Sequence, residues 1–418
     1  MGTTFAEKIF ARNTGQLDVR PGQILEIHPD VALSHDNTAA IFGIFGRMGA
    51  TRVCEPDKLA VFLDHAAPAP TTKHAENHRI IRQFAADQGI DHFYDVGRGI
   101  CHQVLVEEGL ALPGEIVLGS DSHTPHAGVM GAFGAGIGRS EMASIWALGS
   151  IWLRVPESMK ISVHNTLPMG VTTKDLALYV VGKIGADGAL YMSVEWHGEA
   201  IEQLDLSQRA VLPNMMAEAG AKNSYVPPDE LVHKFLDGRA VREYEAIHPD
   251  SDADYAIELS VDAGAIEPMV ACPHAVDNVK PLSEVAGIKV DQAFLGTCTN
   301  GRLEDIAAAA EIVKGKRISP DTRLIVIPAS SQIYLEAMRL GYLETLLESG
   351  AIIESPGCGP CMGNHLGVPA EGEVTISSAN RNFQGRMGTK NSEIYLASPQ
   401  VVAASAIAGE IIHPAELG

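Results

Sequence analysis

Apolar positions along this chain recur in two rhythms. Short unbroken apolar runs read as buried strands, and runs with three-to-four spacing read as helices. "GQILEIHPDVALSHDNTAAIFGIF" reads as a strand, a polar turn at His35–Thr38 and the start of a helix. "RVCEPDKLAVFLDH" has the pattern of a helix-to-strand unit ending on Asp64 and His65. "ENHRIIRQFAADQGI" carries helical apolar spacing at Ile80, Ile81, Phe84 and Ala85. "GEIVLGSDSHTPHAG" predicts a short buried strand, Ile116–Leu118, running into a polar loop. Strand-to-loop ends of this kind are where α/β proteins hold ligands.

Alternating helices and strands, with 46% apolar residues and 41 glycines, predict an α/β fold. At 418 residues the chain has room for two or three domains. A first boundary is expected near Pro156 and a second near "KPLSEVAGIKVDQAF", giving α/β units at 1–155, 156–285 and 286–418. The middle unit carries the "TTKDLALYVVGKIG" helix, and its irregular 228–256 stretch reads as a surface insertion or connector. Gly134 and Gly136 imitate a dinucleotide fingerprint, but the third glycine is out of register, so close backbone packing is the better reading.

The formal net charge of −21 argues against nucleic acid and anionic membrane as general partners. An anionic substrate would have to be met by locally placed arginines. No apolar run approaches the roughly 20 residues of a membrane span. "MGTTFAEKIFARN" lacks the apolar core of a secretory signal, and Ala6 stands where myristoylation needs Ser or Thr. Six irregularly spaced cysteines do not form a disulfide framework, so a reduced, cytoplasmic location is expected.

Three cysteines sit in unusual surroundings. In "VDQAFLGTCTNGRLEDIAAAAEIV" an apolar strand, Ala293–Leu295, ends before Cys298, and Thr299 or Asn300 is placed to cap an alanine-rich helix. A thiol near a helix start has its thiolate form favoured. Cys358 and Cys361 follow in "ESPGCGPCMG", whose glycines let backbone approach closely and aim N–H groups at sulfur. Taken alone, this set suits zinc, a dithiol, buried structural thiols or a [4Fe–4S] cluster lacking its fourth thiolate. Spacing does not choose between zinc and a cluster. Cys54, Cys101 and Cys272 have no comparable loop chemistry.

With "GTCTNGR", "GCGPCMG" and "ANRNFQGR" in one chain, the sequence resembles the aconitase family, most closely the large subunits of its 3-isopropylmalate dehydratase and homoaconitase branch. "DHAAP", "GICHQ", "GSDSHT" and "NMMAEAGAK" extend the resemblance over nearly the whole chain. It implies three α/β/α-layered domains around a central iron–sulfur cleft. It also implies one [4Fe–4S] cluster on Cys298, Cys358 and Cys361 with one open iron, and a hydro-lyase reaction that moves a hydroxyl between adjacent carbons.

The remaining motifs take roles from the same resemblance. His65 is expected to protonate the leaving hydroxyl with Asp64 orienting it. His102 is expected to pair with Glu218, which lies four residues after Asn214 and so on its helix face. That face would present an amide to ligand and a carboxylate to imidazole. Asp121, Ser122 and His123 are adjacent and cannot form a hydrolase triad; the resemblance makes them hydrogen-bonding groups around substrate and water. Arg381 and Arg386 are expected to grip carboxylates through paired bonds, with Asn380 near the cluster and His35 at a substrate-binding position.

The chain stops at "IIHPAELG", soon after the third unit. The family's swivelling domain, with its serine base, is therefore expected on a separate small subunit, in a heterodimer or heterotetramer. "GRMGTKNSEIYLASP" favours the split enzymes. The expected substrate is 2-isopropylmalate, with homocitrate, dimethylmalate and methylmalate as alternatives. A non-catalytic metal-binding scaffold is the competing class.

Overall fold

The computed structural model describes residues 2–363 and 365–417. Its first sheet has five parallel strands in the spatial order His92–Tyr94, Leu59–Phe62, Val31–Ser34, Ile116–Gly119, Phe133–Gly136. The chain builds outward in one direction from Val31–Ser34, then returns to add the last two strands on its other side. The winding therefore reverses between the paired strands Val31–Ser34 and Ile116–Gly119, and the carboxyl ends at such a reversal are where α/β sheets hold ligands. Both faces are covered, which explains the unbroken apolar runs. Leu59 and Val61 enter one core with Phe45, Phe84 and Trp146, while Ala60 and Phe62 enter another with Val104, Val129 and Leu236.

The seven-stranded sheet repeats this winding. Its five parallel strands run Glu393–Leu396, Val374–Ser377, Gln292–Leu295, Arg323–Val326, Ile352–Ile353, and Gln292–Leu295 again comes first in the chain. Its winding reverses between Gln292–Leu295 and Val374–Ser377. Cys298 follows one of these strands, Asn380 the other, and Cys358 the edge strand Ile352–Ile353. A four-stranded parallel sheet, Asn223–Tyr225, Ser193–His197, Ser158–His164, Ile257–Asp262, lies between them in sequence. Its core continues into Phe294, Ile325, Cys358 and Cys361.

Several expectations need correction. Met269–Ala271 and Val279–Pro281 pair antiparallel into the seven-stranded sheet, so that sheet begins before the boundary expected near 285. The 228–256 stretch is not a loose connector. Its Val232 and Leu236 enter the first sheet's core, Asp250 bonds Thr3, and Arg242 pairs with Glu115 at 2.7 Å. The helical part of "RVCEPDKLAVFLDH" is only a short turn, Pro56–Lys58. The glycine reading stands: a Cβ on Gly134 would lie 2.3 Å from the Thr124 carbonyl.

Candidate active site

The carboxyl ends of the first sheet deliver a continuous acid–imidazole network. Asp64 Oδ1 bonds His65 Nδ1 at 2.8 Å, and its Oδ2 accepts the Cys101 backbone N–H at 2.7 Å. His65 Nε2 faces Asp121 Oδ2 at 3.4 Å. Burial works against a charged His65, but the Asp64 and Asp121 carboxylates override it and hold its pKa well above the usual value. Asp121 is held well below its usual value: burial opposes this, but bonds from His102, His123 and His65 prevail. His35 stacks on His65 with ring centroids 4.1 Å apart. Burial, and then the neighbouring His65, lower its pKa to about 4.

The expected pairing of His102 with Glu218 is not what forms. His102 Nε2 bonds Asp121 Oδ1 at 2.7 Å, and Glu218 Oε1 instead bonds His123 Nε2 at 2.7 Å and Arg381 Nε at 2.7 Å. The helix Leu206–Met216 gives way to a tighter turn, Ala217–Ala219, before Glu218 is reached. Glu218 therefore turns toward the loop of His123 while Asn214 points elsewhere. Ser122 lies exposed beside this network.

The three cysteines are all buried, with Cys358 hydrogen-bonded to Cys361 and the Asn380 side chain between Cys298 and Cys361. Asn214 Nδ2 donates to Cys298 Sγ at 3.1 Å. Asn380 touches two sulfurs: its Nδ2 lies 3.7 Å from Cys298 Sγ, and its Oδ1 3.8 Å from Cys361 Sγ. Arg386 Nη2 donates to Cys361 Sγ at 3.6 Å. Burial pushes the Cys298 thiol up to about 12. Hydrogen bonding from Cys358 and the Arg386 guanidinium favour the thiolate of Cys361.

Two expected details change. The helix Leu303–Val313 is capped at Arg302, whose N–H bonds Asp305 at 3.0 Å; Asn300 bonds the same carboxylate at 2.9 Å, and Thr299 turns its hydroxyl to Asn214. Cys298 thus stands clear of the helix start. Among the described residues, side chains rather than backbone N–H groups bond the sulfurs; the Cys358 N–H goes to the Asp64 carbonyl at 3.1 Å. That bond ties the cysteine loop to the acid network. A Cβ on Gly357 would stand 3.0 Å from the same carbonyl.

The sequence profile of the aconitase family (aconitate hydratase) matches residues 7–409. The chain belongs to the aconitase family. Among its relatives, 3-isopropylmalate dehydratase large subunit 1 of Methanopyrus kandleri is 49% identical over 415 residues, 99% of each chain. A probable methanogen homoaconitase large subunit of Methanosarcina mazei is 50% identical over 389 residues, 93% of this chain and 99% of its own. The 3-isopropylmalate dehydratase large subunit of Hydrogenobaculum sp. is 46% identical over 418 residues, 100% of this chain and 99% of its own. Thermococcus kodakaraensis aconitase X in its holo form shares the fold, with a TM-score of 0.51 at 14% identity over 88% of this chain and 87% of its own. The chain is a hydro-lyase chain of the large-subunit type in this family.

Aconitase-family members carry an iron–sulfur cluster. The residues present fit one: three buried thiols converge, and amide and guanidinium donors rest on Cys298 and Cys361, as sulfurs in such centres require. Cys101 does not join them. Burial and the adjacent Asp64 and Asp121 push its pKa well up, so it keeps its proton.

Several residues of the site carried no sequence signal that set them apart. Asp36 accepts the backbone N–H groups of Asp64 and His65, at 3.0 and 2.7 Å, and bonds His78 at 2.8 Å. His126 bonds Asn214 at 3.2 Å; burial and nearby Arg302 keep it neutral. Arg302 donates to the carbonyls of Cys298, at 2.9 Å, and Thr299. Only the position of Asp36 directly after His35 at a strand end pointed to it. No helix among the described residues is long and apolar enough to cross a membrane.

Proposed function

We propose that this chain is the cluster-bearing large subunit of a hydro-lyase that isomerises 2-isopropylmalate to 3-isopropylmalate by dehydration and rehydration. The observation that carries this reading is the junction of the two halves of the site: the sulfur-bearing loop is bonded through Cys358 N–H to the carbonyl of Asp64. A proton donor and a metal-binding sulfur set therefore face one cleft.

Cys298, Cys358 and Cys361 would hold the cluster, which when bound supplies a Lewis acid with one open coordination position. His65, charged because of Asp64, delivers a proton from Nε2 to the leaving hydroxyl. Asp121 gathers His65, His102 and His123 around one carboxylate and keeps the three imidazoles in fixed orientation. Arg381 uses Nε on Glu218, which leaves its terminal nitrogens for a substrate carboxylate; Arg386 takes a second. His35, stacked on His65, and Ser122, next to Asp121, would contact the substrate. The α/β units seen as three sheets would enclose this cleft, and a small subunit would close it and bring the base.

Homocitrate is the second reading, favoured by the likeness to the Methanosarcina mazei subunit. Turnover decides between them. The anaerobically reconstituted chain is mixed with the small subunit of its own genome, and the unsaturated intermediate is followed on 2-isopropylmalate and homocitrate. Preference for 2-isopropylmalate is expected. Preference for homocitrate moves the protein to the second reading, and no turnover of either by a loaded enzyme contradicts both.

A further inference from the structure

Two of the bulkiest fully buried side chains carry a cation: Arg209 and Lys174. Arg209 is accounted for by Asp229 and the Glu202 carbonyl. Lys174 stands at the second position of the helix Thr173–Ile184 and is 0% exposed. Its Nζ donates to the carbonyls of Ser378, at 2.8 Å, and Ala379, at 2.6 Å. Burying an amine is costly unless its protons are bonded, and an apolar side chain would fill the same space without that cost.

The position of those two carbonyls supplies the reason. They lie between the strand Val374–Ser377 and the pair Asn380–Arg381. The amides here are already engaged, Ser378 N–H on the Phe294 carbonyl and Ala379 N–H on Ser377 Oγ. Consecutive carbonyls held by one nitrogen fix the peptide planes leading into Asn380, and hence the direction in which its side chain leaves the backbone. That side chain spans Cys298 and Cys361, and the next residue, Arg381, is locked on Glu218. Arg302 does the same for the other loop, donating to the consecutive carbonyls of Cys298 and Thr299. Burial lowers the lysine's pKa to about 7, against the opposing pull of Asp305 and of Asp175, which is fixed by N–H groups of Thr172 and Met269.

We propose that Lys174 is the positioning residue of the Asn380–Arg381 turn, setting both the amide that spans two cluster sulfurs and the guanidinium that meets substrate. The inference rests on the cluster reading given above.

The test compares Lys174→Met and Lys174→Arg in the full-length chain, reconstituted anaerobically and paired with its small subunit. Iron release to a chelator, the electron paramagnetic resonance spectrum of the reduced cluster, and KM against kcat are read together. K174M is expected to lose its first iron about tenfold faster, with an altered spectrum and a KM that rises more than kcat falls. K174R, which can still bridge two carbonyls, is expected to restore part of each. Wild-type iron release, spectrum and KM in K174M overturn the proposal. Should K174M not fold, Lys174→Gln is read in the same assay: faster iron release supports the proposal and wild-type release overturns it. A wild-type chain that takes up no cluster overturns the cluster reading itself, whereas a loaded wild type beside an unaffected variant overturns only this inference.

Discussion

Asp64 holds His65 through Nδ1 at 2.8 Å and is itself held by the Cys101 N–H at 2.7 Å, so the imidazole is fixed by a carboxylate that has no freedom to turn away. With Nδ1 occupied, the proton to be given up is the one on Nε2, which faces Asp121 Oδ2 at 3.4 Å. This relationship holds His65 charged at a pH where a free histidine would already be mostly deprotonated, as the proposed role of proton donor needs.

Asp64→Asn tests that role. The acid form of His65 persists until pH rises through its raised pKa, so dehydration falls on the alkaline side. In D64N this limb is expected to move to lower pH, and kcat at neutral pH to fall about 10²- to 10⁴-fold. Steady-state rates across pH check both; an unmoved limb would remove Asp64 from this role.

His35 makes an opposite prediction for stability. Its folded pKa, about 4, lies below the ordinary 6.5. Between these values the unfolded chain binds the extra proton, so folding stability drops as pH falls through this window. The total is on the order of 3 kcal/mol. His35→Gln is expected to flatten this dependence, measured by urea unfolding of the cluster-free chain between pH 7 and 4.5.

Asn214 links the helix Leu206–Met216, packed beside the four-stranded sheet, to the sulfurs. Asn214→Ala removes the amide from Cys298 Sγ and leaves the Thr299 hydroxyl and His126 without that partner. A stability loss of about 1–3 kcal/mol is expected. Iron release about 10- to 100-fold faster should accompany it. Chelator kinetics and thermal unfolding on one sample check both.

Gly128 tests how the first sheet's loop docks on the four-stranded sheet. A Cβ there would lie 1.6 Å from the Ser224 carbonyl, against backbone that cannot yield cheaply. Gly128→Ala is expected to cost about 3 kcal/mol or more. At exposed Gly43, inside the helix Thr38–Arg47, the nearest atom is a flexible arginine end at 3.7 Å. Gly43→Ala should instead gain about 0.5–1 kcal/mol. Urea midpoints of the two variants give the comparison.

Much of the site was legible because α/β winding puts chemistry just past strand ends. Asp64, Asp121 and Cys298 each follow a short apolar run, and such runs are readable. Pairings were less so. His102 and Glu218 were expected together, yet which imidazole a carboxylate meets depends on how a helix ends, and the tighter turn at Ala217–Ala219 sends Glu218 to His123. Lys174 was invisible for another reason: a lysine in the first turn of an amphipathic helix reads as solvent-facing, and only a neighbouring sheet in space buries it. Early entry of Met269–Ala271 into the last sheet was hidden likewise, since antiparallel edge pairing leaves no local mark.

Every role proposed for this site depends on Cys298, Cys358 and Cys361 holding a cluster with an open iron. Iron, zinc and acid-labile sulfide should be counted in the anaerobically reconstituted chain beside its Cys298→Ser variant. About four irons and four sulfides are expected per wild-type chain, one iron readily lost to a chelator, with a collapse of both counts in C298S. Zinc at about one per chain with no labile sulfide would contradict it.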